Sequence, residues 1–95
     1  MERVEDIAFM MMLTEHYLRN GKYLQSFALA NYLSTVVRGD PRLDKMLLLA
    51  ALEVGKNQTA RRALAALKGR GAATPEECRA LDLLERRLVA QGGAS

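Results

Sequence analysis

Two stretches of the sequence decide the fold: residues 13–33 read LTEHYLRNGKYLQSFALANYL, and residues 46–67 read MLLLAALEVGKNQTARRALAAL. Each stretch has an apolar run at helical spacing, then a glycine, then a second such run. The two glycines, Gly21 and Gly55, occupy the same point of each stretch. Because glycine readily adopts the left-handed backbone conformation that ends many helices, this pattern predicts two helical hairpins that repeat with the spacing of the glycines.

The spacing from Gly21 to Gly55 equals the period of the tetratricopeptide repeat, a helix–turn–helix unit of about 34 residues. We call this distance along the chain the repeat period. Ala60 matches the small residue at which the helices of a unit approach each other, whereas Asp44 replaces an aromatic residue and Thr14 and Leu48 replace glycine. The resemblance implies helix pairs that stack on one another and leave a groove for a partner. The positions compared are Met10, Leu13, Thr14, Tyr17, Tyr23, Ser26, Phe27, Ala30 and Leu33 in the first unit, and Asp44, Leu47, Leu48, Ala51, Asn57, Ala60, Leu64 and Leu67 in the second.

Helix signals outside these stretches complete the predicted fold, which is all-α. Asp40 and Pro41 indicate the start of the third helix, and Asn57 is expected to cap the fourth. Thr74 and Glu77 form a capping-box pattern at the start of a fifth helix, which is expected to close the stack. The prediction is two tetratricopeptide-like helical hairpins plus a C-terminal capping helix, with helices over residues 2–19, 23–38, 41–54, 57–68 and 75–91 and a flexible joint over 69–73.

Composition and charge limit the classes of function. A chain of 95 residues, 49% of them hydrophobic, is expected to form a single domain over residues 1–91 with a flexible tail over 92–95. The net charge is +3, but acidic residues are interleaved with the basic ones, which does not favour nucleic-acid binding. The longest apolar runs, residues 7–13 and 46–52, are too short to span a bilayer, and the acidic start does not fit a signal peptide.

Few residues suggest chemistry. His16 is the only histidine, and it has no companions at metal-ligand spacing, so we expect it on the helix surface. The single cysteine, Cys78, fits a reducing cytoplasm and is expected to be a small buried hydrophobe. We therefore expect no catalytic residue, no metal site and no cofactor, and we expect a binding module rather than an enzyme.

The first and third helices are apolar on all sides, and this marks the candidate binding surface. A surface helix ordinarily has one apolar stripe and one polar face. We expect Met10, Leu13, Leu47 and Ala51 in the core, whereas Met11, Met12 and Leu49 fit the core and a binding surface equally well. A groove with a basic rim would suit an amphipathic helix with acidic or polar residues on its other face. The predicted groove residues are Ala8, Met11, Met12, Glu15 and Leu18 from the first helix and Arg42, Lys45, Leu49 and Leu52 from the third.

A short, Leu- and Ala-rich chain of degenerate repeats over residues 13–67 resembles the tetratricopeptide-like chaperones of bacterial type III secretion, in particular the small type that holds the needle subunit. The resemblance implies a cytoplasmic protein whose groove clamps an amphipathic helix of the needle subunit and prevents its polymerisation before export. It also implies a small helical co-chaperone that packs on the repeat protein. Under this resemblance, the groove would be lined by Met11, Met12, Glu15, Leu18, Leu49 and Leu52.

Two other functions fit the same residues. The chain could be a generic tetratricopeptide-like scaffold or adaptor, or a helical domain whose apolar faces meet in a homodimer. A small helical protein encoded beside it would favour the chaperone, whereas a stable homodimer without a partner would favour the alternative.

Overall fold

The computed structural model describes residues 4–70 and 74–91, and within these ranges the chain is all-helical, without strands. Of the flexible joint predicted over 69–73, Gly69 is helical and residues 71–73 lie outside the described residues, as do the tail over 92–95 and the start of the first helix. The helices are α1 (Val4–Arg19), α2 (Tyr23–Val36), α3 (Pro41–Val54), α4 (Asn57–Gly69) and α5 (Pro75–Ala90).

The turns of the two hairpins have the same backbone conformation. Gly21 and Gly55 adopt φ values of 74° and 79°, in the left-handed region. In the residue after each glycine, the backbone N–H donates to a carbonyl five residues earlier: Lys22 to Tyr17 at 2.9 Å and Lys56 to Ala51 at 2.8 Å. The period seen in the sequence is therefore also a repeat of the backbone.

Alanine substitutions at two glycines are expected to change stability in opposite directions. At Gly55, alanine should lower the free energy of unfolding by about 1–2 kcal/mol, because a left-handed conformation is unfavourable for a residue with a Cβ atom. At Gly69, the last residue of α4, alanine should raise the free energy of unfolding by about 0.5–1 kcal/mol, because alanine has a higher helix propensity than glycine. Neither new Cβ atom meets another atom within 4 Å, so only the backbone term differs. Urea unfolding followed by circular dichroism measures both, and a Gly55→Ala variant as stable as the original would contradict the argument.

The predicted helix caps are correct at α3 and α5 and wrong at α4. Asp40 accepts a hydrogen bond from the Arg42 backbone N–H at 2.9 Å, and Thr74 Oγ1 accepts one from the Glu77 N–H at 3.1 Å. Asn57 does not cap α4: Lys56 holds the cap position, and Asn57 is the first helical residue and is buried. The reason is that the turn after Gly55 sets where α4 begins. The end of α2 also differs from the prediction, because Val37 is extended and the helix ends at Val36 rather than Arg38.

The helices pack in the order of the chain, as expected for stacked hairpins. α1 lies against α2, α2 against α3, α3 against α4 and α4 against α5, and α1 also contacts α3. Inside the first hairpin, Ser26 Oγ donates to the Thr14 carbonyl at 2.9 Å, and Thr14 Oγ1 donates to the Met10 carbonyl at 2.7 Å. These bonds satisfy two fully buried hydroxyls at the point where α1 and α2 meet.

α3 is the central helix, which explains why it is apolar on nearly all sides. Its buried residues are Leu43, Met46, Leu47, Leu48, Ala50, Ala51 and Leu52. The expectation that Leu47 and Ala51 belong to the core is confirmed.

α5 ends the described stack and has a charged residue at a position where α3 is buried. It begins at Pro75, one repeat period after Pro41 begins α3, so the two helices occupy corresponding positions of the repeat. Where α3 has the buried Leu48, α5 has the exposed Asp82. Lys68 of α4 lies 3.8 Å from this carboxylate and 2.6 Å from that of Glu85, and the hydrogen bond with Glu85 raises the pKa of Lys68. A polar outer face is what a terminal capping element of a repeat stack requires.

Candidate partner-binding groove

An apolar groove of about 500 Å³ lies between α3 and α5. We call it the α3–α5 groove. Buried Leu48 and Leu67 contribute to its floor, and the more exposed Leu49 and the half-buried Leu81 and Leu84 contribute to its walls. Its lining residues are Pro41, Lys45, Leu48, Leu49, Leu67, Arg70, Glu77, Ala80, Leu81 and Leu84.

The groove exists because α5 packs more closely at its end than at its start. Leu88, near the C-terminus of α5, is buried in the core, whereas Leu81 and Leu84 are only partly buried. Two further contacts hold the same end of α5 to α3. Arg87 lies 2.7 Å from the Glu53 carboxylate, and the Gln91 side-chain amide is 3.5 Å from the Leu52 carbonyl. The first turns of α5 therefore leave an apolar space above α3 that the last turns do not.

Ion pairs border the groove, rather than cations alone. Lys45 Nζ lies 3.6 Å from a carboxylate oxygen of Glu77, which joins α3 to the start of α5. The Arg70 guanidinium is 2.5 Å from Asp44 Oδ2, a buried oxygen that needs this positive charge. The expectation of a basic rim is therefore wrong for these cations, because each has an acidic partner in the fold. Both signs of charge are available to orient a bound helix.

The structure brings together only part of the predicted groove. Lys45 and Leu49 line it, and Arg42 is exposed on α3 outside the lining residues. On α1, Ala8, Met12 and Glu15 are exposed but do not line the groove, and Leu18 is partly buried against the core. Glu15 pairs with Arg19 of its own helix at 3.4 Å.

Two predicted groove residues belong to the core instead. Met11 is 6% exposed and Leu52 is 2% exposed. Met11 is buried because α1 packs against α3 as well as α2. Leu52 is buried as part of the core cluster on the central helix α3. Both are therefore removed from the set of groove residues. Of the neighbouring core candidates on α1, Met10 and Leu13 are partly buried.

The wall formed by α5 is the part that sequence reasoning missed. The fifth helix is expected to close the stack, and its Leu81 and Leu84 do face α3 and α4, but they leave the groove open. The separation of Pro41 and Pro75 by one repeat period was a signal that α5 corresponds to α3 and could provide a wall facing it.

The single cysteine and the single histidine do not contribute to this groove. Cys78 is exposed, so the expectation of a buried cysteine is wrong. It lies one turn before Asp82, on the polar side of α5. His16 is exposed on α1. Among residues 4–70 and 74–91, no three His, Cys, Asp or Glu side chains are close enough to hold a metal ion, and no helix there is long and apolar enough to cross a membrane.

Exposed apolar side chains on α1 and α2 lie outside the groove. On α1, the side chains of Val4, Phe9 and Met12 are exposed. On α2, which has no charged residue, exposed apolar side chains recur every four residues. These are Leu24, Ala28, Tyr32 and Val36.

Comparison with known proteins leaves the groove as the main guide to function. No protein-family model, no curated protein and no solved structure matches this chain.

Proposed function

We propose that this protein is a cytoplasmic chaperone for a self-assembling export substrate, of the needle-subunit type, and that the α3–α5 groove holds an amphipathic helix of that substrate. The observation that carries the proposal is the apolar groove itself, with its leucine floor and ion-paired border. An apolar groove is the surface into which an amphipathic helix lays its apolar face.

The size of the groove fits part of a helix. A helix 10–12 Å wide occupies roughly 400–600 Å³ per turn. A groove of about 500 Å³ is therefore of the size of one or two helical turns rather than of a whole helix. The ligand would place apolar residues three and four positions apart on its inner side, and polar residues beside Lys45 and Glu77.

The expected affinity is moderate. Three or four leucine-sized side chains, each contributing about 1.5–3 kcal/mol on burial, give a gross gain of roughly 5–12 kcal/mol. Ordering and immobilisation remove at least about 4 kcal/mol of that gain. The net value corresponds at best to a dissociation constant on the order of micromolar, unless residues outside the groove add contacts.

A helix held in this groove would be sequestered. A subunit that polymerises through an exposed amphipathic helix stays monomeric while that helix is buried elsewhere. The resemblance of residues 13–67 to type III secretion chaperones supports this use of the groove over that of a general adaptor.

The proposal can be tested by co-expression with each small helical protein encoded beside this gene. We expect one neighbour that forms filaments or aggregates alone to elute as a soluble complex of defined mass, measured by light scattering after size exclusion. If every such neighbour assembles to the same extent with and without the chain, the chaperone proposal is wrong.

A further inference from the structure

α1 carries an apolar face that is exposed. The corresponding face of α3, one repeat period later, is buried. In α3, Leu43 and Met46 are buried. The residues one repeat period earlier are Phe9 and Met12, which are 57% and 58% exposed. Within the described residues, no helix precedes α1 to cover this face as α2 precedes α3. The face is thus built like a helix-packing surface and is open to water.

The exposed residues of this face have the spacing of a coiled-coil seam. Glu5, Phe9, Met12 and His16 are separated by four, three and four residues, and all four are exposed. Alternating steps of four and three place side chains on the a and d positions of a heptad. We call these four residues the α1 seam.

The α1 seam is self-complementary when two copies run antiparallel. The spacing is the same in both directions, so a two-fold axis between Phe9 and Met12 places each phenylalanine against the methionine of the other copy. Sulfur–aromatic contacts of this kind are favourable. The same axis places the Glu5 carboxylate of one copy against the His16 imidazole of the other.

We propose that this face is a homodimer interface, in which α1 of one copy packs antiparallel against α1 of a second copy through the α1 seam. The charge pattern selects a second copy as the occupant, because one seam carries an acid at its start and a base at its end. The side-chain amide nitrogen of Asn20 lies 3.5 Å from His16 Nδ1, so Nε2 is the ring nitrogen that would contact the Glu5 carboxylate of the second copy. Ala8, exposed beside the seam, is small enough to let two helices approach.

This interface is independent of the proposed chaperone function. The residues that line the α3–α5 groove come from α3, α4, Arg70 and α5, with none from α1. A dimer through α1 would therefore bring two separate grooves into one particle.

The first test is sedimentation velocity of the full chain over a range of concentrations. We expect a reversible shift from the 10.5 kDa monomer to a species of twice that mass. Phe9→Asp should weaken dimerisation by at least about tenfold, because it places a charge in the apolar centre of the seam. Leu83→Asp is the matched control, since Leu83 is exposed on α5, outside the α3–α5 groove and the α1 seam. The Leu83→Asp variant should dimerise as the original chain does. A chain that stays monomeric at all concentrations, or equal effects of the two variants, would overturn the proposal.

The second test examines the antiparallel register with charge exchange. His16→Glu alone would place two carboxylates together and should weaken the dimer. Adding Glu5→Lys to it should restore the dimer, because lysine then faces glutamate at both ends of the seam. In a parallel pair, like charges would meet at both positions and the double variant would be no better than the single one. That result, or a seam that binds only an unlike helical protein, would overturn the proposed dimer.

Discussion

The Met11→Asp variant is expected to be strongly destabilised, whereas Met12→Asp should be nearly as stable as the original chain. Met11 is packed in the core and Met12 is largely exposed, although the two are adjacent. Removing a buried methionine side chain alone lowers the free energy of unfolding by about 2–5 kcal/mol, and an unpaired buried carboxylate adds to that loss. We expect at least about 3 kcal/mol for Met11→Asp and less than about 0.5 kcal/mol for Met12→Asp.

Urea unfolding followed by far-ultraviolet circular dichroism measures this difference. Small domains typically have a free energy of unfolding of only about 5–15 kcal/mol in total. The unfolding curve of the Met11→Asp variant should therefore have a much shorter folded baseline. Because Met12 is also in the α1 seam, both variants should be compared at concentrations where the chain is monomeric. Equal destabilisation by the two substitutions would mean that α1 does not pack on α3 as the structure shows.

The Leu49→Asp variant is expected to lose partner binding while keeping its fold. Leu49 is 38% exposed on the wall of the α3–α5 groove, so a carboxylate there can reach water in the free protein. In the complex it would lie against the apolar face of the bound helix and would lose that hydration. We expect affinity for the co-purified partner to fall by about a hundredfold, roughly 2.7 kcal/mol.

Leu83→Asp provides the matched control for this loss. Leu83 lies one repeat period after Leu49, at the corresponding position on α5, and it is 63% exposed outside the groove. Isothermal titration calorimetry should therefore give an unchanged dissociation constant for Leu83→Asp. If Leu49→Asp also binds normally, the groove is not the binding site.

The helices and most of their ends could be predicted because they depend on local signals. Gly21, Gly55, the Asp40–Pro41 start and the Thr74 cap each act within one turn of the backbone, and the structure shows all of them in the expected roles. Asn57 is wrongly predicted as the cap of α4, because asparagine generally favours cap positions. The turn at Gly55 and Lys56 determines the first residue of α4, and that local preference of asparagine does not change it.

The side of each helix that faces the core could not be predicted where the helix is apolar on all sides. Met11 and Met12 have the same chemistry and differ only in direction around α1. Contacts with α3 decide which of them is buried, and such contacts depend on how the hairpins stack. Leu52 is a similar case, since it lies in the core cluster of α3 although the apolar pattern also fits a binding surface.

The sequence indicates that the protein has an apolar binding groove, but it does not show where the groove lies. The excess of apolar residues on α3 indicated a binding surface, and Leu49 and Lys45 do line one. Its second wall is α5, which reaches α3 through the ion pairs Lys45–Glu77 and Arg87–Glu53. Which charges on α3 and α5 pair with each other depends on how α5 packs, and a single sequence does not show this.

The central claim is that α3 and α5 together hold a helix of the partner, and amide hydrogen exchange of α5 tests it most directly. α5 has only one fully buried side chain among its described residues, Leu88, so its amides should exchange quickly in the free chain. In the purified complex with the co-expressed partner, we predict slower exchange across the first turns of α5 and at the exposed side of α3, with α2 unchanged. A complex in which α5 exchanges as fast as in the free chain, with new protection confined to α1 and α2, would contradict the account.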